Sequence, residues 1–287
     1  MASTTALKRR ITSVKNTRQI TKAMQLVSAS KMRRAQDYAF RSRDYRDMAT
    51  ALLKRLGAID ELAQEPLFSK RPVKNRLYIV ITSNSGLAGA YNANVIKMLG
   101  QSLKQDKTDK INSRVITVGN KGAQFVRRVE NIALEAVYSA FGDQPTANDI
   151  RPLLNTIVAQ YEDGTVDEVR VLYTEFRSNL VQEAVSLQLL PADPVKDDTV
   201  PAISTFEPDL ETVVKQVTTR LVEAQVWQAV LESLASEHSM RMIAMKNATD
   251  NANELIEDYT LEFNTARQAG ITQELAEITG GAEALNG

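Results

Sequence analysis

The chain has 287 residues, 43% of them hydrophobic, and its 35 basic residues balance 35 acidic ones. That length and composition suit two structural units with a core. It has no cysteine, which excludes a disulfide framework, a thiolate nucleophile and a Cys-ligated metal. Its apolar runs are far too short to span a bilayer, and Ser3 to Arg10 lead directly into a helical pattern without an apolar signal segment.

Residues 1–56 read as the first element, one long helix without Gly or Pro from residue 3 onward and stopped by Gly57. Its apolar positions fall in three groups: Leu7, Ile11 and Val14; Ile20, Met24 and Val27; and Met32, Ala35 and Ala39, with Ala49, Leu53 and Leu56 following in phase. The middle group is out of register with its flanks, so the stripe is expected to change face near residues 18 to 30. Either the helix pairing is irregular there or the segment meets a second surface. The basic residues Lys8, Arg9, Arg10, Lys15, Arg18, Lys22, Lys31, Arg33 and Arg34 suggest a nucleic-acid arm. They are spread around the helix and lack interleaved aromatics, so a solvated or protein-facing basic surface fits better, and no nucleic-acid partner is expected.

Residues 57–75 read as a connector, and residues 76–190 as a small α/β domain in which short apolar strands alternate with helices. The expected strands are Leu77 to Thr82, Arg114 to Val118, Ile132 to Tyr138, Glu168 to Phe176 and Leu180 to Leu190. The expected helices are Tyr91 to Leu103, Lys121 to Val129 and Asn148 to Tyr161, and the sheet is expected to be largely parallel. Residues 83–90, SNSGLAGA, stand where a phosphate-cradling loop would, between a strand and a helix. They lack the GxGxxG spacing and the Lys-Ser/Thr of a P-loop, so a close strand-to-helix turn is the better reading. An enzyme with a nucleotide site here would lose affinity on replacement of Gly86 or Gly89.

Residues 191–208 return the chain to a last helical element, residues 208–287, with Pro208 suited to its first turn. From Val217 a 4-3 spacing runs through Leu221, Ala224, Gln228, Leu231, Ala235, His238, Met242, Met245, Thr249, Ala252, Ile256, Tyr259, Phe263 and Ala266. A stripe holding a 3.5-residue period marks a helix lying along another in a left-handed supercoil. His238 falls on that seam and reads as a polar seam residue, not a ligand or base. Residues 1–56 carry 14 basic and 3 acidic residues, and residues 207–287 carry 5 basic and 14 acidic ones. Such opposite ends attract, and the expected fold class is α/β: an antiparallel coiled coil of the two terminal helices with a Rossmann-like domain inserted. If residue 56 pairs near residue 210, the first helix reaches back to about residue 263. Ile271, Leu275 and Ile278, at i, i+4 and i+7, then form an apolar stripe on a helix end that outruns its partner, and this tip is expected to sit inside another protein.

Four stretches carry a family resemblance: ITSVKNTRQITKAMQLVSASKMRRAQ at 11–36, SNSGLAGAYN at 83–92, MRMIAMKNATDNA at 240–252 and ARQAGITQELAEITGGAEAL at 266–285. In this order they resemble the gamma subunit of the F-type ATP synthase, end to end. The turn departs from the family's usual form, which has a charged pair before its first glycine and often a cysteine between its glycines. The resemblance implies a central rotor shaft, not catalytic alone and without cofactors, carrying torque between a membrane c-ring and a ring of alternating alpha and beta subunits. It implies epsilon as a further partner, and with no targeting segment in the sequence the complex is expected at a bacterial inner membrane with this chain on the cytoplasmic side. By the same resemblance Arg267 and Gln268 contact a loop of the beta subunit. Lys22 and Met24 face the acidic lever of beta with Arg241 in support, and Ile271, Leu275 and Ile278 run in the apolar sleeve. An adaptor with a globular α/β head is the alternative.

Overall fold

The computed structural model describes residues 4–56, 66–139, 141–142, 145–192 and 209–286. The expected stop at Gly57, most of the two connectors and Pro208 lie outside them, as do the side chains of Ala49, Leu53 and Leu56. Five helices are described, α1 (Thr4–Leu56), α2 (Tyr91–Thr108), α3 (Asn120–Val126), α4 (Ala147–Glu162) and α5 (Leu210–Asn286). The strands are β1 (Asn75–Ile81), β2 (Asn112–Val118), β3 (Ala133–Tyr138), β4 (Glu168–Phe176) and β5 (Gln182–Leu190). They belong to two compact units, one made of Met1–Val27 with Met242–Gly287 and the other of Ser28–Arg241.

The second unit is built on a five-stranded sheet in the order β3-β2-β1-β4-β5. The first four strands are parallel and β5 returns antiparallel to β4. The five residues between β4 and β5 are too few for a parallel crossover, which takes a dozen or more. The central strand is apolar on both faces because both are covered. Leu77, Ile79 and Ile81 pack with Ile150, Leu153 and Ile157 of α4 and Val222, Val226 and Val230 of α5. Tyr78 and Val80 face Val95, Leu99 and Leu103 of α2. Each such fully buried aliphatic side chain contributes roughly 1.5–3 kcal/mol.

Local chemistry sets the element ends. Asp209 caps α5 by accepting the Thr212 N–H at 2.8 Å. The Thr146 N–H donates to Asp149 at the start of α4, which holds that exposed carboxyl below its ordinary range. β5 starts at Gln182, not Leu180, because Leu180 and Val181 donate their N–H groups to Ser178 Oγ inside a turn. At Gly119 the backbone is left-handed, φ +96°, and an added Cβ would lie 2.0 Å from the Thr82 carbonyl oxygen. Only glycine lets α3 start so close to the end of β1.

At the opposite end of the sheet, Arg76 joins two buried carboxylates. Its guanidinium bonds Glu168 at 2.8 and 3.0 Å and also pairs with Asp106, which accepts the Tyr78 hydroxyl at 2.8 Å and the Ser113 hydroxyl at 2.7 Å. Burial, then the bond to Asp106, pushes the Tyr78 phenol up to about 12. Above the ordinary phenol value near 10 the unfolded chain loses this proton while the folded chain keeps it. The stabilisation is therefore complete below about pH 10 and is lost as pH rises toward 12, by at most about 2–3 kcal/mol. Between about pH 9 and pH 11, Tyr78→Phe is expected to lose less unfolding free energy than the unmodified chain in urea titrations. Equal losses would remove Tyr78 as the source.

The first unit pairs the start of α1 with the end of α5. Thr21 Oγ1 lies 2.8 Å from Thr249 Oγ1, Arg18 donates to Asn253, and Arg10 sits over the Tyr259 ring. Residue numbers fall along one helix as they rise along the other, so the helices are antiparallel. On α5 the seam follows the 4-3 positions, with Met245, Thr249 and Ala252 buried. Along α1 in this unit it runs through Leu7, Ile11, Val14, Arg18, Thr21 and Gln25, with Thr21 buried, and within the second unit Ser28, Met32, Ala35 and Ala39 of the same helix are buried at the same 4-3 spacing. The stripe does not change face. Small polar residues hold the seam, while Ile20 and Val27 are 61% and 54% exposed.

Candidate functional site

In the first unit the functional surface is what α1 and α5 leave uncovered. Extending the observed register places Thr4 opposite about Ala266, and every described side chain from Arg267 to Ala282 is exposed. Arg267 and Gln268 open this stretch, followed by Ile271, Leu275 and Ile278 at 47%, 59% and 69% exposure. Continuing the seam past Ala266 would use Gly270, Gln273 and Glu277, and Gln273 donates to Glu277 at 3.0 Å. The apolar stripe lies one to two residues further on, turned by about 100° or more from the seam. The tip therefore shows its apolar face in a direction other than the one that meets α1. Such an exposed apolar stripe is a candidate interaction surface.

A second uncovered stripe lies on α1. Ile20, Val27 and Leu26 are exposed, Met24 is half-buried, and Lys22 is exposed with its ammonium 3.3 Å from Gln25 Oε1. Residues 4–27 carry six lysines and arginines and no acidic residue, so this stripe suits an acidic, partly apolar surface. Leu255 and Leu261 on α5 are also exposed. Sequence reading passed over them, although both stand off the 4-3 stripe, and that offset was the available signal.

Arg241 belongs to the second unit and is buried. Its guanidinium pairs with Glu237 at 2.7 Å and lies 3.5 Å from His238 Nδ1, Ser85 Oγ and the Gly86 carbonyl oxygen. A side chain held this way supports the helix from within. It also bears on the turn at 83–90. The strand order reverses between β1 and β4, the place where doubly wound sheets bind ligands. Here α5 lies across that place, with Ser233 and Ser236 bonded to Thr174 at the end of β4 and Arg241 at the turn after β1. The turn packs against the chain's own helix.

A family profile described as ATP synthase matches residues 3–285. A relative from Roseiflexus castenholzii named ATP synthase gamma chain is 43% identical over 289 residues, covering 99% of each chain. One of the same name from Heliobacterium modesticaldum is 41% identical, covering 97% of this chain and 98% of the relative. The chain belongs to the ATP synthase gamma chain family. Among solved structures, a chain of the Euglena gracilis mitochondrial ATP synthase has a TM-score of 0.70 at 19% identity, covering 98% of this chain and 94% of that one. A chain of the Tetrahymena thermophila mitochondrial ATP synthase central stalk and c-ring has 0.65 at 23% identity, covering 80% and 99%. These likenesses give the gamma-chain fold, a mixed sheet with long terminal helices.

Proposed function

We propose that the chain is the central rotor shaft of an ATP synthase, carrying torque between a membrane c-ring and a catalytic ring of alpha and beta subunits. As a gamma chain it is a structural subunit that catalyses no step by itself. The observation that carries the finer reading is the exposed stripe Ile271, Leu275 and Ile278, turned away from the face that meets α1. An apolar tip without charged side chains on its stripe can turn in an apolar sleeve without locking at one angle, since apolar contact is non-directional.

Directional contacts at fixed angles then fall to polar groups. Arg267 and Gln268 supply them toward the beta subunit, each bond worth about 1–3 kcal/mol when charge-assisted. Lys22 and Met24 face an acidic segment of beta, with Arg241 bracing α5 from inside. Epsilon and the c-ring join the rotor at the α/β unit, proton flow drives it, and the complex works at the cytoplasmic face of a bacterial inner membrane. No helix among the described residues is long and apolar enough to cross a membrane, so attachment would run through these partners.

The test is reconstitution of ATP hydrolysis by purified alpha and beta subunits with the full chain and with a chain ending at Phe263. A stable stoichiometric complex with the full chain, weakened in retention or torque by the truncation, is expected. Failure of both chains to join the ring would refute the reading.

A further inference from the structure

In the second unit, β4 outlasts its parallel neighbour. The β1 pairing ends with Val80 opposite Leu172, and beyond it the main chain of Thr174 turns to α5. Ser233 Oγ accepts the Thr174 N–H at 3.2 Å, and the Ser236 hydroxyl donates to the Thr174 carbonyl oxygen at 3.2 Å. One turn further, the Ser239 hydroxyl donates to the Asn179 carbonyl oxygen at 3.0 Å and accepts Gln182 Nε2 at 3.2 Å. The three serines are at most 1% exposed and stand at i, i+3 and i+6, along one ridge of α5. Buried main-chain groups need partners. A hydroxyl can serve as donor or acceptor, which lets one residue type meet both.

We propose that Ser233, Ser236 and Ser239 are the positioning residues through which turning force passes between the sheet and α5, an inference that rests on the rotor function. The rest of the α5 contact with the sheet is largely Val, Leu and Ala. Such packing resists separation but is poorly directional, so it opposes turning of the helix about its own axis weakly. Hydrogen bonds are directional. Rotating α5 by a single residue position, about 100°, would break all the bonds the ridge makes to Thr174 and Asn179 together. The ridge therefore fixes both the angle and the axial position of α5 on the sheet.

The experiment uses the complete membrane complex in vesicles, with ATP hydrolysis and ATP-driven proton uptake measured together, and amide exchange at Thr174 in the chain itself. The variants are the triple Ser233→Ala, Ser236→Ala, Ser239→Ala and the single Ser236→Ala. Thr218→Ala is the control, because Thr218 is a buried hydroxyl on α5 that, among the described residues, bonds its own helix at the Val214 carbonyl. In the triple variant the Thr174 amide is expected to exchange about tenfold faster. Protons moved per ATP should fall by about half or more, with Ser236→Ala intermediate and Thr218→Ala at the unmodified ratio. If the triple variant fails to fold, Ser236→Ala decides by the proton-to-ATP ratio, since the hydroxyl it removes bonds the Thr174 carbonyl oxygen and not its N–H. An unchanged proton-to-ATP ratio, or an unchanged Thr174 amide in the triple variant, overturns the proposal. Failure of the rotor function itself is distinguishable, because the unmodified chain would then support no proton uptake.

Discussion

Arg76→Ala is expected to destabilise the chain by about 3–5 kcal/mol. The arginine lies on the second residue of β1, directly across from Glu168 on β4, and reaches Asp106 at the end of α2. Its removal leaves two carboxylates buried, with Asp106 only 1% exposed and Glu168 4%. Tyr78 and Ser113 still donate to Asp106, and Arg170 still pairs with Glu168, which is why the loss stays within that range. Arg76→Lys should recover only part, since an ammonium does not reproduce the forked pairing of a guanidinium. Urea unfolding of the isolated chain measures both. In the Arg76→Ala background, Glu168→Gln should cost clearly less than it does alone, by about 1 kcal/mol or more. A cost below about 1 kcal/mol for Arg76→Ala itself would mean that the network is not what holds this end of the sheet.

Replacing Ile271, Leu275 and Ile278 together by glutamine should separate folding from assembly. All three are exposed and glutamine is a good helix former, so the unfolding free energy of the isolated chain should stay within about 0.5 kcal/mol. Retention in a ring of alpha and beta subunits after dilution should fall at least about tenfold if the tip is held as proposed, because the apolar area it offers is lost. Equal retention would show that the tip is not held through this face. A large loss of chain stability would show instead that the stripe packs within the chain.

The legibility of the sequence differs between the two long helices. On α5 the seam is mostly apolar, so its 4-3 spacing stands out. On α1 the seam carries Arg18, Thr21, Gln25 and Ser28, while Ile20, Met24 and Val27 make a more conspicuous stripe beside it. Periodicity finds apolar residues, not the face they are on, and it could not decide which of two stripes was inside. The strands were readable as short apolar runs; the antiparallel return of β5 was not anticipated, although the brief link after β4 is the signal that could have shown it. The network of Arg76, Asp106 and Glu168 was not readable, because its members are 30 and 92 residues from Arg76 along the chain. The serines at 233, 236 and 239 were equally silent. Serine on a helix reads as surface until a strand end is found against it. As for the contacts proposed at Arg267 and Gln268, sequence supplied them only through resemblance, since exposed polar residues carry no periodic signal.

The antiparallel pairing also has a timetable. Thr21 and its partner Thr249 are separated by 228 residues, so at typical rates of synthesis the first helix waits roughly 10–45 s for the helix that covers it. During that interval its seam faces water. A seam of Thr21, Gln25 and Ser28, on a segment bearing six positive charges and no negative ones between residues 4 and 27, is well suited to waiting. It repels other nascent copies of itself and, from Arg18 to Ser28, offers them little apolar surface along the seam. The polar stretch that disguises the seam on the page thus also protects the unfinished chain from premature association.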